Sequence, residues 1–154
     1  MNLKAARPHR RRTNVNYYKI DIKTIRTEKE GMLSFFEGTR DFPFEIKRIY
    51  YIHHVPAGAR RGAHAHKTLR QMIFCPYGSV TIFLNDSETE EQILLDDPGI
   101  GIVLMPGLWR DMQWNIDNSV LCVAASDYYD EKDYIRDYGE YLEYLKTMKK
   151  EGGK

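Results

Sequence analysis

The chain has 154 residues, 42% of them hydrophobic and 29% charged, with a formal net charge of +1. That length suits one domain with a proper hydrophobic core and leaves little room for a second. Near-neutrality argues against a nucleic-acid binder that works through bulk charge. Two isolated cysteines, Cys75 and Cys122, without a C-x-x-C pair, a signal peptide or a membrane-length apolar run, fit a soluble protein of a reducing cytoplasm.

In chain order, residues 1–15 carry the cluster Arg10, Arg11 and Arg12 with no apolar periodicity, and read as a flexible basic arm. From Tyr17 to Ser126 short apolar or alternating runs follow one another: YYKIDI, MLSFFE, IKRIYYIHH, RGAHAH, QMIFCP, SVTIFLN, EQILLDD, GIVLM, DMQWN and SVLCVAAS. Turn residues such as Asn85-Asp86-Ser87, Asp97-Pro98-Gly99 and Asp117-Asn118 separate them. About ten short strands at such spacing predict an all-β antiparallel sandwich or barrel. Beyond SDYYDEKD, the apolar residues Tyr134, Ile135, Tyr138, Tyr141, Leu142 and Leu145 keep a helical rhythm. The expectation is one C-terminal helix, capped by Asp130, with Lys146, Lys149 and Lys150 at its negative end. Residues 16–150 thus form a single domain, and residues 151–154 a frayed tail.

The chemistry concentrates in RRGAHAHKTLRQ, from Arg60 to Gln71. Residues two apart on a strand project from one face, with Cα atoms roughly 6–7 Å apart, so His64 and His66 point together. The spacing resembles the first motif of cupins: Gly58, five residues, His64-Ala-His66, four residues, Gln71, six residues, Gly78. Two ligands of the metal-binding cupin pattern are replaced. Gln71 stands where a glutamate belongs, and Arg110 where the second motif would supply a histidine. A neutral amide is a poor ligand and a permanent cation repels a metal, so no metal and no cofactor are expected. Free histidines titrate near pH 6.5, and nearby arginines favour the neutral, basic imidazole. The set suits proton transfer beside a carbonyl, with Arg61 or Arg110 to hold an anion or oxyanion.

The segments PFEIKRIYYI, RGAHAHKTLRQ, PGLWRDM and, above all, ASDYYDEKDYIRDY resemble the dTDP-4-keto-6-deoxyglucose 3,4-ketoisomerases, a subfamily of cupins. The resemblance implies a cupin jelly roll with a C-terminal helix, a homodimer without metal, and a dTDP-4-keto-6-deoxy sugar as substrate. It implies a shift of the ketone from carbon 4 to carbon 3, supplying an aminotransferase that makes a 3-amino-3,6-dideoxy sugar for surface glycans such as O-antigen or S-layer polysaccharide. The roles it implies are His64 as base, His66 assisting, Tyr50 as proton relay and Arg61 steadying the enediolate. Arg48 and Arg61 suit the diphosphate. Gln71, Trp109 and Arg110 belong with substrate binding, with packing in the sheet an equal alternative for Trp109. Arg110 and Glu30 depart from residues frequent in that subfamily, which leaves the product's configuration at carbon 4 open. Tyr128 and Tyr129 are expected to anchor the helix or touch the base, and His53 and His54 to point to opposite faces as structural or surface residues. Three rivals remain: a 3,5-epimerase of similar fold, which usually relies on a His–Asp pair; a cupin that only binds nucleotide sugars; and a metal-dependent dioxygenase.

Overall fold

A computed structural model of the chain describes residues 15–151. Residues 1–14 of the expected arm and 152–154 of the expected tail lie outside the described residues. Val15 is buried in the core rather than part of an arm, and Glu151 is the last residue of the C-terminal helix rather than tail. Twelve strands and two helices are present: β1 (Tyr17–Asp21), β2 (Lys23–Thr27), β3 (Gly31–Phe35), α1 (Gly38–Asp41), β4 (Arg48–Ile52), β5 (Arg60–His66), β6 (Gln71–Tyr77), β7 (Val80–Asn85), β8 (Glu90–Leu95), β9 (Ile100–Leu104), β10 (Trp109–Trp114), β11 (Val120–Ala125), β12 (Tyr134–Ile135) and α2 (Tyr138–Glu151). Two five-stranded antiparallel sheets, ordered β1-β9-β6-β11-β4 and β12-β5-β10-β7-β8, pack face to face as the expected jelly-roll sandwich. β2 and β3 pair only with each other and form a separate hairpin.

Alternation explains the core. Along β7, Val80, Ile82 and Leu84 are buried while Thr81, Phe83 and Asn85 are half-exposed, the period-2 pattern of a strand with one face on a core. Ile73, Ile82, Ile102, Leu121 and Trp114 meet between the sheets. The Trp114 indole N–H donates to the Ser119 carbonyl at 3.0 Å, so this large ring is buried without an unpaired donor. Outside the first sheet, Phe36, Phe42 and Phe44 cover Met72, Val103 and Ala124.

The C-terminal expectation needs correction. Tyr134 and Ile135 are not helical: they form β12, pairing with His66 and Ala65 of β5. Asp130 caps a 3-10 turn over Glu131–Asp133 by accepting from the Lys132 N–H. The cap of α2 is Asp137, whose side chain accepts from the Glu140 N–H at 2.9 Å. A fully buried Tyr141 anchors the helix, its hydroxyl 2.9 Å from the Asn85 and Gly107 carbonyls. Tyr128 and Tyr129 are exposed and do not anchor it. Cys75 is buried and Cys122 half-buried, both as free thiols, and burial pushes the Cys75 thiol up to about 11. His53 and His54 are exposed beyond β4 with their Nδ1 atoms turned towards each other rather than to opposite faces, because His54 adopts a positive φ of 56°.

Candidate active site

The inner faces of the sandwich are apolar along most of their length and turn polar at one end. His64 and His66 on β5, Arg110 on β10, Tyr50 on β4 and Gln71 on β6 enter there, with Tyr134 of β12 beside the imidazoles. The His64 and His66 rings stand perpendicular with centroids 5.1 Å apart. Tyr134 lies 5.1 Å from the first and 4.2 Å from the second.

A bulge aims His64. Arg110 pairs with His64 but Asp111 pairs with Gly62, so Ala63 has no partner of its own across the ladder. Gly62 has φ +113°, and a Cβ there would sit 2.9 Å from the Arg110 carbonyl oxygen. Only glycine allows β5 to approach β10 so closely at this point. Ala63 also has a positive φ, and the Asp111 carboxylate accepts its N–H at 2.9 Å. The Gly78 of the cupin spacing is likewise constrained, since a Cβ would lie 2.2 Å from Ser119 Oγ.

Both imidazoles are held neutral. Burial first, and the Arg110 charge second, lower the His64 pKa to about 4. Burial, Arg110 and His64 push His66 down as well, against the pull of Asp133. Asp133 was not among the residues anticipated from sequence. Its Oδ2 accepts from His66 Nδ1 at 2.8 Å, while Oδ1 accepts from the Thr68 N–H at 2.8 Å and the Thr68 hydroxyl at 2.7 Å. Burial works to raise the Asp133 carboxyl, but the Thr68 and His66 hydrogen bonds outweigh it and hold it low. The contact is therefore a charge-assisted hydrogen bond from neutral imidazole to carboxylate rather than an ion pair.

Arg110 is 3% exposed, with its pKa lowered to about 10 by burial, so it remains a cation at neutral pH. Among the described residues no carboxylate forms an ion pair with it. Gln71 donates through Nε2 to the Tyr50 hydroxyl oxygen at 2.9 Å, which leaves the Tyr50 O–H free to donate elsewhere. Burial raises the Tyr50 pKa, against the Arg110 and Arg48 charges. Arg48 lies over the Tyr50 ring at 5.2 Å and the Tyr129 ring at 5.6 Å. Five buried side-chain atoms lack a hydrogen-bond partner among the described residues: Arg48 Nε, His64 Nδ1, His66 Nε2, Gln71 Oε1 and Arg110 Nη2. All five belong to this one cluster. Leaving such atoms unpaired costs about 1–3 kcal/mol each, so their convergence marks a site made for a polar ligand. A cleft of about 310 Å³ adjoins it, lined by Arg48, by the side chains of Leu69, Tyr128, Tyr129 and Tyr134, and by Thr68 with the acids Asp127, Asp130 and Asp133.

Two anticipated residues lie elsewhere. Trp109 faces the outside of the sandwich, because alternation along β10 puts it opposite to Arg110, and it packs on Tyr138 and Tyr141 at 5.1 and 5.4 Å. The packing reading of Trp109 therefore replaces the sugar-pocket one. Arg61 is exposed and stands across from Met112; the charges acting on His64 are those of Arg110, Arg136 and Glu131. Arg136 makes two bonds to Glu131, at 2.7 and 3.0 Å, and lies over the Tyr134 ring at 4.3 Å, strapping the segment that carries Asp133. No three His, Cys, Asp or Glu side chains converge on a metal-sized space among the described residues. The His66–Asp133 contact means that a His–Asp pair no longer separates this site from that of a 3,5-epimerase.

Comparison with known proteins makes that separation. Residues 15–146 match the family model described as FdtA, WxcM-like, C-terminal. A TDP-4-oxo-6-deoxy-α-D-glucose-3,4-oxoisomerase of Aneurinibacillus thermoaerophilus is 39% identical over 135 residues, 86% of this chain and 96% of its own. The sugar 3,4-ketoisomerase QdtA of Thermoanaerobacterium thermosaccharolyticum, solved with TDP, superposes with a TM-score of 0.82 at 44% identity, covering 86% of this chain and 96% of that one. The same relative with one histidine replaced by asparagine has been solved with TDP-4-keto-6-deoxyglucose, at 43% identity, 86% and 95% coverage and a TM-score of 0.82. The 4-keto-6-deoxy sugar epimerase NovW of Streptomyces spheroides shares the fold at only 18% identity, 86% and 74% coverage and a TM-score of 0.71. The chain belongs to the sugar 3,4-ketoisomerase family.

Proposed function

We propose that the protein converts TDP-4-keto-6-deoxyglucose to the 3-keto isomer through an enediol, and the observation that carries this is the convergence of five unpaired buried polar atoms around two neutral imidazoles. The ketone at carbon 4 acidifies the hydrogen on carbon 3, and His64 removes it. Arg110 holds the negative charge that develops on the oxygen at carbon 4. His64 returns its proton at carbon 4, while the hydroxyl proton at carbon 3 passes to the oxygen at carbon 4 through Tyr50 and His66. Net, one proton moves from carbon 3 to carbon 4 and one from the oxygen at carbon 3 to the oxygen at carbon 4, and no cofactor is consumed. Arg48, in the cleft beside the site, suits the diphosphate. Arg61, being exposed, serves at most the outer end of the nucleotide.

The product's ketone at carbon 3 then suits an aminotransferase making a 3-amino-3,6-dideoxy sugar. No helix among the described residues is long and apolar enough to cross a membrane, and a cytoplasmic location suits nucleotide-sugar chemistry. We assign a homodimer as the working form. The hairpin of β2 and β3 leaves Ile25, Met32 and Leu33 exposed, as does the sheet edge at Ile49 and Tyr51, which is support for a second copy covering them. Sedimentation of a single 18 kDa species at micromolar concentration would remove that assignment.

An NMR time course in deuterated buffer with TDP-4-keto-6-deoxyglucose and a chelator tests the activity. A 3-keto product with deuterium at carbon 4 is expected, and its configuration there is read from the same spectra. Deuterium at carbon 5 with inversion identifies an epimerase, and neither product nor exchange from a folded protein identifies a binding module. His64→Asn keeps the fold and abolishes turnover; a variant with near-normal activity removes His64 from the base role.

A further inference from the structure

The two histidines differ in how they are held. His64 has a partnerless Nδ1 and no carboxylate on its ring. His66 is 1% exposed and its Nδ1 meets Asp133, a residue 67 positions away whose other oxygen is held twice by Thr68. The Asp133 carbonyl also accepts the Lys67 N–H at 3.0 Å, so the backbone at the end of β5 and the carboxylate move as one unit. An ionised carboxylate only accepts, so the proton of neutral His66 must sit on Nδ1 and the Nε2 lone pair must be bare. That Nε2 is buried and has no partner among the described residues.

We propose that Asp133, backed by Thr68, is a positioning residue that fixes His66 in the Nδ1–H form, making its Nε2 the dedicated acceptor of the oxygen-bound proton in the isomerisation. The assignment rests on the ketoisomerase reading above and divides the labour within it. Transfer between two oxygens needs an aimed lone pair, which a ring fixed through Nδ1 supplies. The carbon-bound proton must travel from one carbon to its neighbour, and His64, aimed by the bulge and touched by the Gly62 backbone but by no carboxylate, is the ring left for that transfer. The order of events balances: Nε2 takes the proton from the hydroxyl at carbon 3, His66 becomes a cation facing the Asp133 carboxylate, and the same proton passes through Tyr50 to the oxygen at carbon 4.

Asp133→Asn tests this through the hydrogen-bond directions. The Thr68 backbone N–H can only donate, so it captures the amide oxygen and leaves the amide nitrogen facing His66 Nδ1. The imidazole must then accept at Nδ1 and carry its proton on Nε2, the wrong atom. In long-range ¹H–¹⁵N spectra of histidine-labelled protein, His66 is expected Nδ1-protonated in the wild type and Nε2-protonated in the variant. The kcat is expected to fall by about 10²–10⁴, the contribution of a positioned acid–base group, with the larger loss where the imidazole is held wholly in its wrong tautomer, and the urea midpoint is expected to be preserved. Thr68→Val, which removes the hydroxyl but keeps the backbone N–H on the carboxylate, is expected to retain the Nδ1–H form and to lower kcat by less than Asp133→Asn does. An Nε2-protonated His66 in the wild type overturns the proposal, and so does a variant that has switched tautomer yet turns over normally. The wild-type spectrum needs neither substrate nor a folded variant. It therefore decides the tautomer even where Asp133→Asn does not fold or where the activity itself proves different.

Discussion

Replacing Arg110 with methionine should make the protein more stable and less active at once. The guanidinium is 3% exposed, Nη2 has no hydrogen-bond partner, and no carboxylate forms an ion pair with it among the described residues. Burial lowers its pKa from 12.5 to about 10, against the pull of Tyr50, Tyr134 and Asp133. At about 1.36 kcal/mol per unit, the folded chain holds this cation at a cost of roughly 3 kcal/mol. Methionine has a similar reach and no charge, and replacement of buried ionic groups by apolar ones of similar volume is often neutral or stabilising by about 1–4 kcal/mol. An increase of about 2 kcal/mol in unfolding free energy is expected, or about 4–8 °C in melting temperature for a domain of this size. Turnover should fall by about 10²–10³, the loss that follows removal of one oxyanion donor. The His64 and His66 pKa values should rise, because the Arg110 charge acts on both. Urea unfolding of ligand-free protein, imidazole titration by NMR and steady-state rates read the three effects. A loss of stability of more than about 1 kcal/mol with normal turnover would refute the reasoning, since it would mean that the charge is compensated and structural.

The neutral histidines also make stability depend on pH. Both folded-state values lie below the unfolded value of 6.5, so below pH 6.5 the unfolded chain binds protons that the folded chain refuses. Stability should be flat above that pH and decline as pH falls towards about 4, with His64 alone worth roughly 3 kcal/mol across the window. Asp133, held low, weakens the fold in the same direction at still lower pH. A urea-midpoint profile that stays level from pH 7 to about 4.5 would show that the imidazoles are not desolvated. Gly62→Ala places a methyl 2.9 Å from the Arg110 carbonyl at a φ of +113°. It should destabilise by about 1–3 kcal/mol and cut turnover, because the bulge that aims His64 must relax. Unchanged denaturation and rates would show that the bulge aims nothing.

Most strands were legible because alternation or a short apolar run with punctuation announced them. β2 was not: KTIRT has one strongly apolar residue and belongs to a hairpin whose faces are both exposed, so no buried side writes a pattern into it. β12 was read as helix for the opposite reason. A two-residue strand has no period to show, and Tyr134 and Ile135 happen to continue the rhythm of α2. The paired histidines and Arg110 were legible through their spacing. Asp133 was hidden because its partner is 67 residues away and nothing local distinguishes it from the neighbouring acids. Trp109 was decided by its position on β10, one residue from Arg110 and therefore on the other face.

The two replacements in the cupin spacing are more than lost ligands. At the position of a metal-binding glutamate, Gln71 gives a hydrogen bond to the Tyr50 oxygen and thereby leaves that phenol's O–H free to donate. At the position of a metal-binding histidine, Arg110 supplies a fixed positive charge, and its field adds to burial in keeping both remaining histidines neutral. A carboxylate at residue 71 would neutralise that charge and raise both imidazole pKa values, against the burial that lowers them. Gln71 and Arg110 therefore work as a pair: the neutral amide leaves the buried cation without a carboxylate partner, and that cation reinforces the effect of burial on the histidines while holding the oxyanion they generate. Converting Gln71 alone to glutamate should thus disable the site without restoring a metal centre, because Arg110 would take the new carboxylate as its partner.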